Sequence, residues 1–192
     1  MTAPRSDAQD RILDAAEAVF ARKGYRGGAL NDVAVEAGYT RAGLLHYFPS
    51  KEALLLALLD RRDEQVHALE TIQPGDTVHD VLRGMPDAVR QIAAMPLLVQ
   101  LGHIVSAEAA SVDHPARDWV LARERTLRDD LTRSVELAQQ RGELVTDIDS
   151  YTLGALILAA FEGLEGHSLV DDKVDVLAGM DVLRRLIELA RP

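Results

Sequence analysis

The chain has 192 residues, 27% charged and 47% hydrophobic but only 4% aromatic, a length for one or two soluble domains with an aliphatic core. So few aromatic side chains argue against an all-β fold, and the absence of cysteine excludes a disulfide scaffold, thiolate zinc sites, iron–sulfur clusters and a cysteine nucleophile. A formal charge of -10 argues, at first sight, against a nucleic-acid binder.

The first ten residues lack the apolar centre of a signal peptide. The richest apolar run, residues 153–161, falls far short of the roughly 20 residues of a membrane span. These features predict a cytoplasmic protein with no membrane partner. Over residues 7–23, Ile12, Ala15, Ala16, Val19 and Phe20 recur at helical spacing, predicting an amphipathic helix that Gly24 stops. A second short helix carries Leu30, Val33 and Ala34. Gly38 suits a tight turn, and Thr40 suits the N-cap of a third short helix that ends near Phe48. Pro49 closes it, and Ser50 caps a fourth helix whose Leu54, Leu55, Leu58 and Leu59 pattern continues toward Leu69.

Further helices are predicted over 77–94, 96–110, 115–142, 149–169 and 174–190, with Pro86 kinking the first turns of the first of these. No strand alternation lasts more than a few residues, and no internal repeat is present. The expected fold is all-α, about nine helices. A helix-turn-helix domain occupies residues 1–52 and a helical domain residues 53–192.

Three short helices with a glycine-containing turn between the second and third form the helix-turn-helix pattern. The segments Phe20-Ala-Arg-Lys-Gly-Tyr25, Asp32-Val-Ala-Val-Glu-Ala-Gly38 and Thr40-Arg-Ala-Gly-Leu-Leu-His-Tyr-Phe-Pro-Ser-Lys-Glu-Ala-Leu-Leu55 resemble the DNA-binding domain of TetR-family transcriptional regulators. The resemblance implies a homodimeric regulator, most simply a repressor. It would bind palindromic double-stranded operator DNA and release it when a small-molecule effector enters the second domain. An activator or a ligand-independent regulator of the same fold is the alternative sign. By this resemblance Thr40, Arg41, Ala42, Gly43, Leu45, His46 and Tyr47 contact the groove and its phosphates. Arg41 is the candidate for bidentate guanine recognition, and Lys51, at a helix N-terminus, for a phosphate. Val33, Ala34, Ala37, Leu44 and Phe48 pack the helices together.

Two departures stand out. Leu45 and Ala42 replace the family's usual Tyr and Gly, so Leu45 either touches a thymine methyl or packs inward. Ala29 replaces the usual Ser or Thr cap of the second helix, leaving Gly28 as a poorer cap.

In the second domain, Met85, Met95, Leu98, Leu101, His103, Trp119, Arg123 and Phe161 are the candidates for the effector cavity, mixing apolar bulk with a few polar groups. Leu153, Leu156, Ile157, Ala160, Gly163, Leu164, Met180, Leu183, Leu186 and Ile187 of the last two helices are the candidates for the dimer interface, unless one of these stripes closes the monomer core. The competing class is a carboxylate metal enzyme in a helical bundle. Glu64-Gln-Val-His67 has the required Glu-x-x-His spacing, but Asp76-Thr-Val-His79 only imitates it, and Glu162 with Glu165 lacks a histidine. The sequence contains no Gly-x-Ser-x-Gly elbow, phosphate loop or His-Glu-x-x-His motif, so no catalytic residues, metal or cofactor are expected.

The charge objection dissolves when the chain is divided. Residues 1–52 carry seven basic and seven acidic groups, so the whole acidic excess lies beyond them. Affinity for DNA should then rest on a few well-placed contacts rather than on a broad basic surface.

Overall fold

A computed structural model describes residues 5–67 and 72–191, apart from the side chain of His67. Among these residues every secondary-structure element is an α-helix, and no single helix is long and apolar enough to cross a membrane. The extension of the fourth helix toward Leu69 lies outside the described residues, as does the His67 side chain of the Glu-x-x-His motif.

The helices gather into two compact units. The first comprises the described residues of 1–68 and 95–120, the second those of 69–94 and 121–192. The first unit is therefore larger than a domain cut at residue 52. The reason is packing: helix α1 (Asp7–Gly27) lies against α2 (Leu30–Ala37), α4 (Lys51–His67) and α6 (Pro96–Glu108).

Helix α1 starts in a reciprocal capping box. Ser6 Oγ accepts the Gln9 N–H, and Gln9 Oε1 accepts the Ser6 N–H. Its apolar stripe buries Ile12, Leu13, Ala15, Ala16, Val19 and Phe20, which meet Leu44, Leu54, Leu55, Leu58, Leu59 and Leu101 in one core. Gly24 breaks the helix as predicted, with φ +71° and ψ 170°, and a last irregular turn carries the chain to Gly27. Arg61 of α4 is buried against α1. Its guanidinium reaches Asp14 at 2.6 Å and Glu17 at 2.9 Å, fixing α4 along α1.

The cap of α2 departs from expectation. Ala29, not Gly28, holds the N-cap position, and the Asp32 carboxylate accepts the Ala29 N–H at 3.3 Å while pairing with Lys23 at 2.8 Å. Gly28 instead terminates α1, donating its N–H to Gly24 O at 3.1 Å.

The second unit is built from α5 (Val78–Ala93), most of α7 (Arg117–Gln140), α8 (Ser150–Ser168) and α9 (Val176–Glu188). Each start that the sequence marks is capped. Thr77 accepts from Asp80 N–H, Asp149 from Thr152 N–H and Asp175 from Ala178 N–H. Pro86 lies in the middle of α5 rather than its first turns, and α5 runs through it as a single element. Val78, Val81, Leu82, Leu131, Val135, Leu144, Leu153, Ile157, Met180 and Ile187 form the core of this unit.

Candidate nucleic-acid interface

Helix α3 (Arg41–Tyr47) is held by local chemistry at both ends. Gly38 ends α2 in the left-handed conformation, φ +73° and ψ 28°, and the Tyr39 N–H bonds to Ala34 O at 2.8 Å. Two residues later Thr40 Oγ1 accepts the Gly43 N–H at 3.1 Å and starts α3. Leu44 is fully buried in the core and fixes the helix by its inner face, with Phe48 buried just beyond its end. Val33 and Ala34 are buried beside them, and Ala37 packs at the edge of the same cluster.

The outer face follows from this anchoring. Thr40, Arg41, Ala42 and His46 are exposed. Gly43 and Leu45 are half-buried, and so is Tyr47, which packs on the core cluster with its ring edge-on to His46 at 5.4 Å. Of the residues proposed for the groove, Thr40, Arg41, Ala42 and His46 are thus open to solvent, and Gly43, Leu45 and Tyr47 lie between them and the buried Leu44.

Lys51 is more constrained than its helix-terminal position suggests. Its Nζ lies 4.4 Å from the centroid of the Tyr25 ring and 3.4 Å from Arg26 O. Burial holds its pKa below the ordinary lysine value, against the raising effect of Glu108.

Tyr25 belongs to a cluster with no local signature in the sequence. The Glu108 carboxylate, at the end of α6, accepts the Tyr25 N–H at 2.9 Å just beyond the break at Gly24. The room left by the missing side chain of Gly24 is where the Glu108 carboxylate sits. His114 is buried against the Tyr25 ring, 5.1 Å between centroids. Its Nδ1 accepts the Ala116 N–H at 3.2 Å, which makes Nε2 the protonated nitrogen of the neutral ring, 3.6 Å from Glu108. Burial pushes the His114 pKa down, although Glu108 pulls it up. The partners are 83 residues apart in the chain, so spacing in the sequence carries no trace of them.

The candidates in the rest of the chain differ in burial and divide between the two units. Leu98 and Leu101 are buried residues of the first unit. Met95, His103 and Trp119 are half-buried in that unit, whereas Met85, Arg123 and Phe161 are half-buried in the second. Five of the eight candidates thus lie in the first unit and three in the second. Among the dimer candidates, Leu153, Ile157, Met180 and Ile187 are buried in the core of the second unit. Ala160, Leu164 and Leu183 are half-buried, and Leu156, Gly163 and Leu186 are exposed.

The outward stripe also contains Ala159, a small residue that allows close helix approach, and two residues that sequence reasoning passed over, Val182 and Leu189. Ala159 of α8 continues the line of Leu156 and Gly163, and Val182 of α9 and Leu189 at its C-cap continue that of Leu186. Spacings of three and four residues along each helix would have revealed it.

The imitation metal motif is occupied structurally. His79 is buried, and its Nε2 lies 3.2 Å from Glu143 O, to which it donates. Among the described residues no three His, Asp or Glu side chains gather around a point that could hold a metal ion.

A capped, rigidly seated helix projecting from a glycine turn on a three-helix head, followed by a helical unit, defines a helix-turn-helix protein. Residues 12–58 match the family model for bacterial regulatory proteins of the tetR family. That segment, residues 12–58, belongs to the tetR family of bacterial regulatory proteins. The chain is 30% identical over 165 residues to the A-factor receptor protein of Streptomyces griseus, a match covering 83% of this chain and 54% of that protein, so it spans about half of that relative's length. It is 26% identical over 180 residues to the HTH-type transcriptional repressor AcnR of Corynebacterium glutamicum, covering 88% of this chain and 92% of that one. The crystal structure of a TetR transcriptional regulator from Chloroflexus aurantiacus superposes with a TM-score of 0.80 at 25% identity, covering 94% of each chain.

Proposed function

We propose that this chain is a ligand-responsive transcriptional regulator, a repressor, in which two copies read a palindromic operator by placing one α3 in each of two major-groove half-sites. The observation that carries this reading is the outward side of α3, where Arg41 and His46 stand exposed over an anchored Leu44. Arg41 reads guanine through O6 and N7, and Lys51 meets a phosphate by leaving Arg26 O while staying over the Tyr25 ring. Two-fold symmetry would set the half-sites about one helical turn, roughly 34 Å, apart or at a multiple of that distance. The protein would act in the cytoplasm, where its DNA is.

The outward stripes of α8 and α9 support self-association. Leu156, Leu186 and Leu189 are 56%, 59% and 81% exposed, far more than isolated aliphatic side chains on a helix pair require. A repressor named among the relatives supports the sign of regulation. An effector taken up beyond residue 52 would act by shifting the population between two arrangements of the paired α3 helices. It can do so only if it binds one arrangement more tightly.

Selection from a random duplex pool, followed by gel shift with the winning sequence and with DNA flanking the protein's own gene, tests the reading. The expected result is a palindromic consensus bound in a salt-sensitive manner. Enrichment of no sequence, with no salt-sensitive retention, overturns it.

A further inference from the structure

Seven basic residues lie within residues 1–52, and the structure gives most of them an occupation. Arg5 pairs with Glu64 and Asp10, Arg22 with Glu36, Lys23 with Asp32 and Arg26 with Asp113. Lys51 lies over Tyr25, and Arg41 opens α3. Arg11 is left. It is exposed on α1, and among the described residues no carboxylate lies within ion-pair distance of it.

What holds Arg11 is neutral. Its Nη2 donates to the Tyr39 hydroxyl at 2.9 Å, with the guanidinium carbon 5.6 Å from the ring centroid. Tyr39 occupies the turn between α2 and α3. Its ring stands edge-on to Tyr47 at 6.1 Å, and its Cδ1 lies 3.6 Å from where a side chain on Gly43 would begin. The tyrosine is thus wedged along α3, from its first turn to its last residue, and its hydroxyl presents an unneutralised guanidinium beside that helix. A guanidinium has five N–H donors in a rigid fork, and a bond to one neutral hydroxyl leaves its full charge available.

We propose that Arg11 and Tyr39 form a phosphate-binding site for the DNA backbone flanking α3, in which Arg11 donates to a non-bridging phosphate oxygen and Tyr39 holds the guanidinium in place. The inference rests on the proposed DNA-binding function and adds to it an anchor that lies outside the recognition helix. Prior fixation matters because a free arginine loses rotamer freedom on contact, whereas one already held by Tyr39 loses less. The site carries no base information. It sets the depth and tilt of α3 and leaves base choice to Arg41 and its neighbours.

The test uses the full chain and a duplex selected by the wild-type protein, with affinity measured across a salt series. Arg11→Gln should lower affinity about tenfold on every sequence alike and reduce the slope of log affinity against log salt by about one per subunit. Arg11→Lys should keep the slope, and Tyr39→Phe should weaken binding a few-fold with the slope kept. Unchanged affinity and slope in Arg11→Gln overturn the proposal. So does weaker binding with an unchanged slope and a lowered melting temperature, which would make the pair a staple between α1 and the turn. A wild-type chain with no salt-dependent selectivity overturns this site and the regulator reading together.

Discussion

At the scale of single residues, the contrast between Arg41 and His114 shows how environment assigns a role. Arg41 is exposed, with no carboxylate partner among the described residues, so its guanidinium is available to a base edge. Replacing Arg41 with Ala should relax base preference at one position per half-site, at a cost of about 1–3 kcal/mol, as read by repeating the site selection with the variant. His114 is enclosed, and burial keeps its pKa below the ordinary 6.5. The unfolded chain then binds more protons than the folded one just below that value. The stability from the neutral ring is complete above pH 6.5 and is lost as pH falls. Urea midpoints at pH 7.5 and 5.5 should drop further in the wild type than in His114→Asn, whose amide oxygen can still accept the Ala116 N–H without titrating. Equal drops in the two proteins refute this assignment.

At the scale of elements, helix ends were largely readable in the sequence and helix faces less so. Thr40, Ser50, Thr77 and Asp149 cap the helices that follow them, because a cap bonds to a backbone N–H only three residues away. Gly38 is equally local, since its left-handed φ comes from the turn it makes. Gly28 misled because its place depends on packing: a side chain there would begin 2.8 Å from the Phe20 ring. The α2 start is consequently under-capped. Ala29 has cap-like angles, φ -96° and ψ 148°, and Asp32 is already in place to complete a box. Ala29→Ser should therefore stabilise the protein by about 0.5–2 kcal/mol in urea unfolding. A neutral or negative change would mean that the Lys23–Asp32 pair already supplies what the hydroxyl would add.

At the scale of the whole molecule, the helical period of α8 and α9 allows two apolar stripes, and only packing divides them. Ile157 is 0% exposed while its neighbour Leu156 is 56% exposed, so consecutive residues belong to the core and to the proposed dimer face. Leu156→Glu with Leu186→Glu should give a folded monomer by sedimentation, with unchanged helicity and greatly weakened operator binding, because one half-site contact set is lost. Ile157→Glu should instead unfold the second unit by burying an unpaired charge. If the double variant stays dimeric, the interface lies elsewhere.

The sequence by itself determined the helices, their caps and the helix-turn-helix pattern, because these arise from interactions spanning three or four residues and from the spacing of apolar side chains. It also showed that the acidity lies outside the first 52 residues. The tertiary structure alone decided which stripe is core, that α6 and α4 belong with the reading head, and that Glu108 supports the break in α1. It also placed Arg11 against Tyr39 in the turn before α3. Each of these depends on contacts between residues far apart in the chain, and helical periodicity is blind to them because it describes one helix at a time.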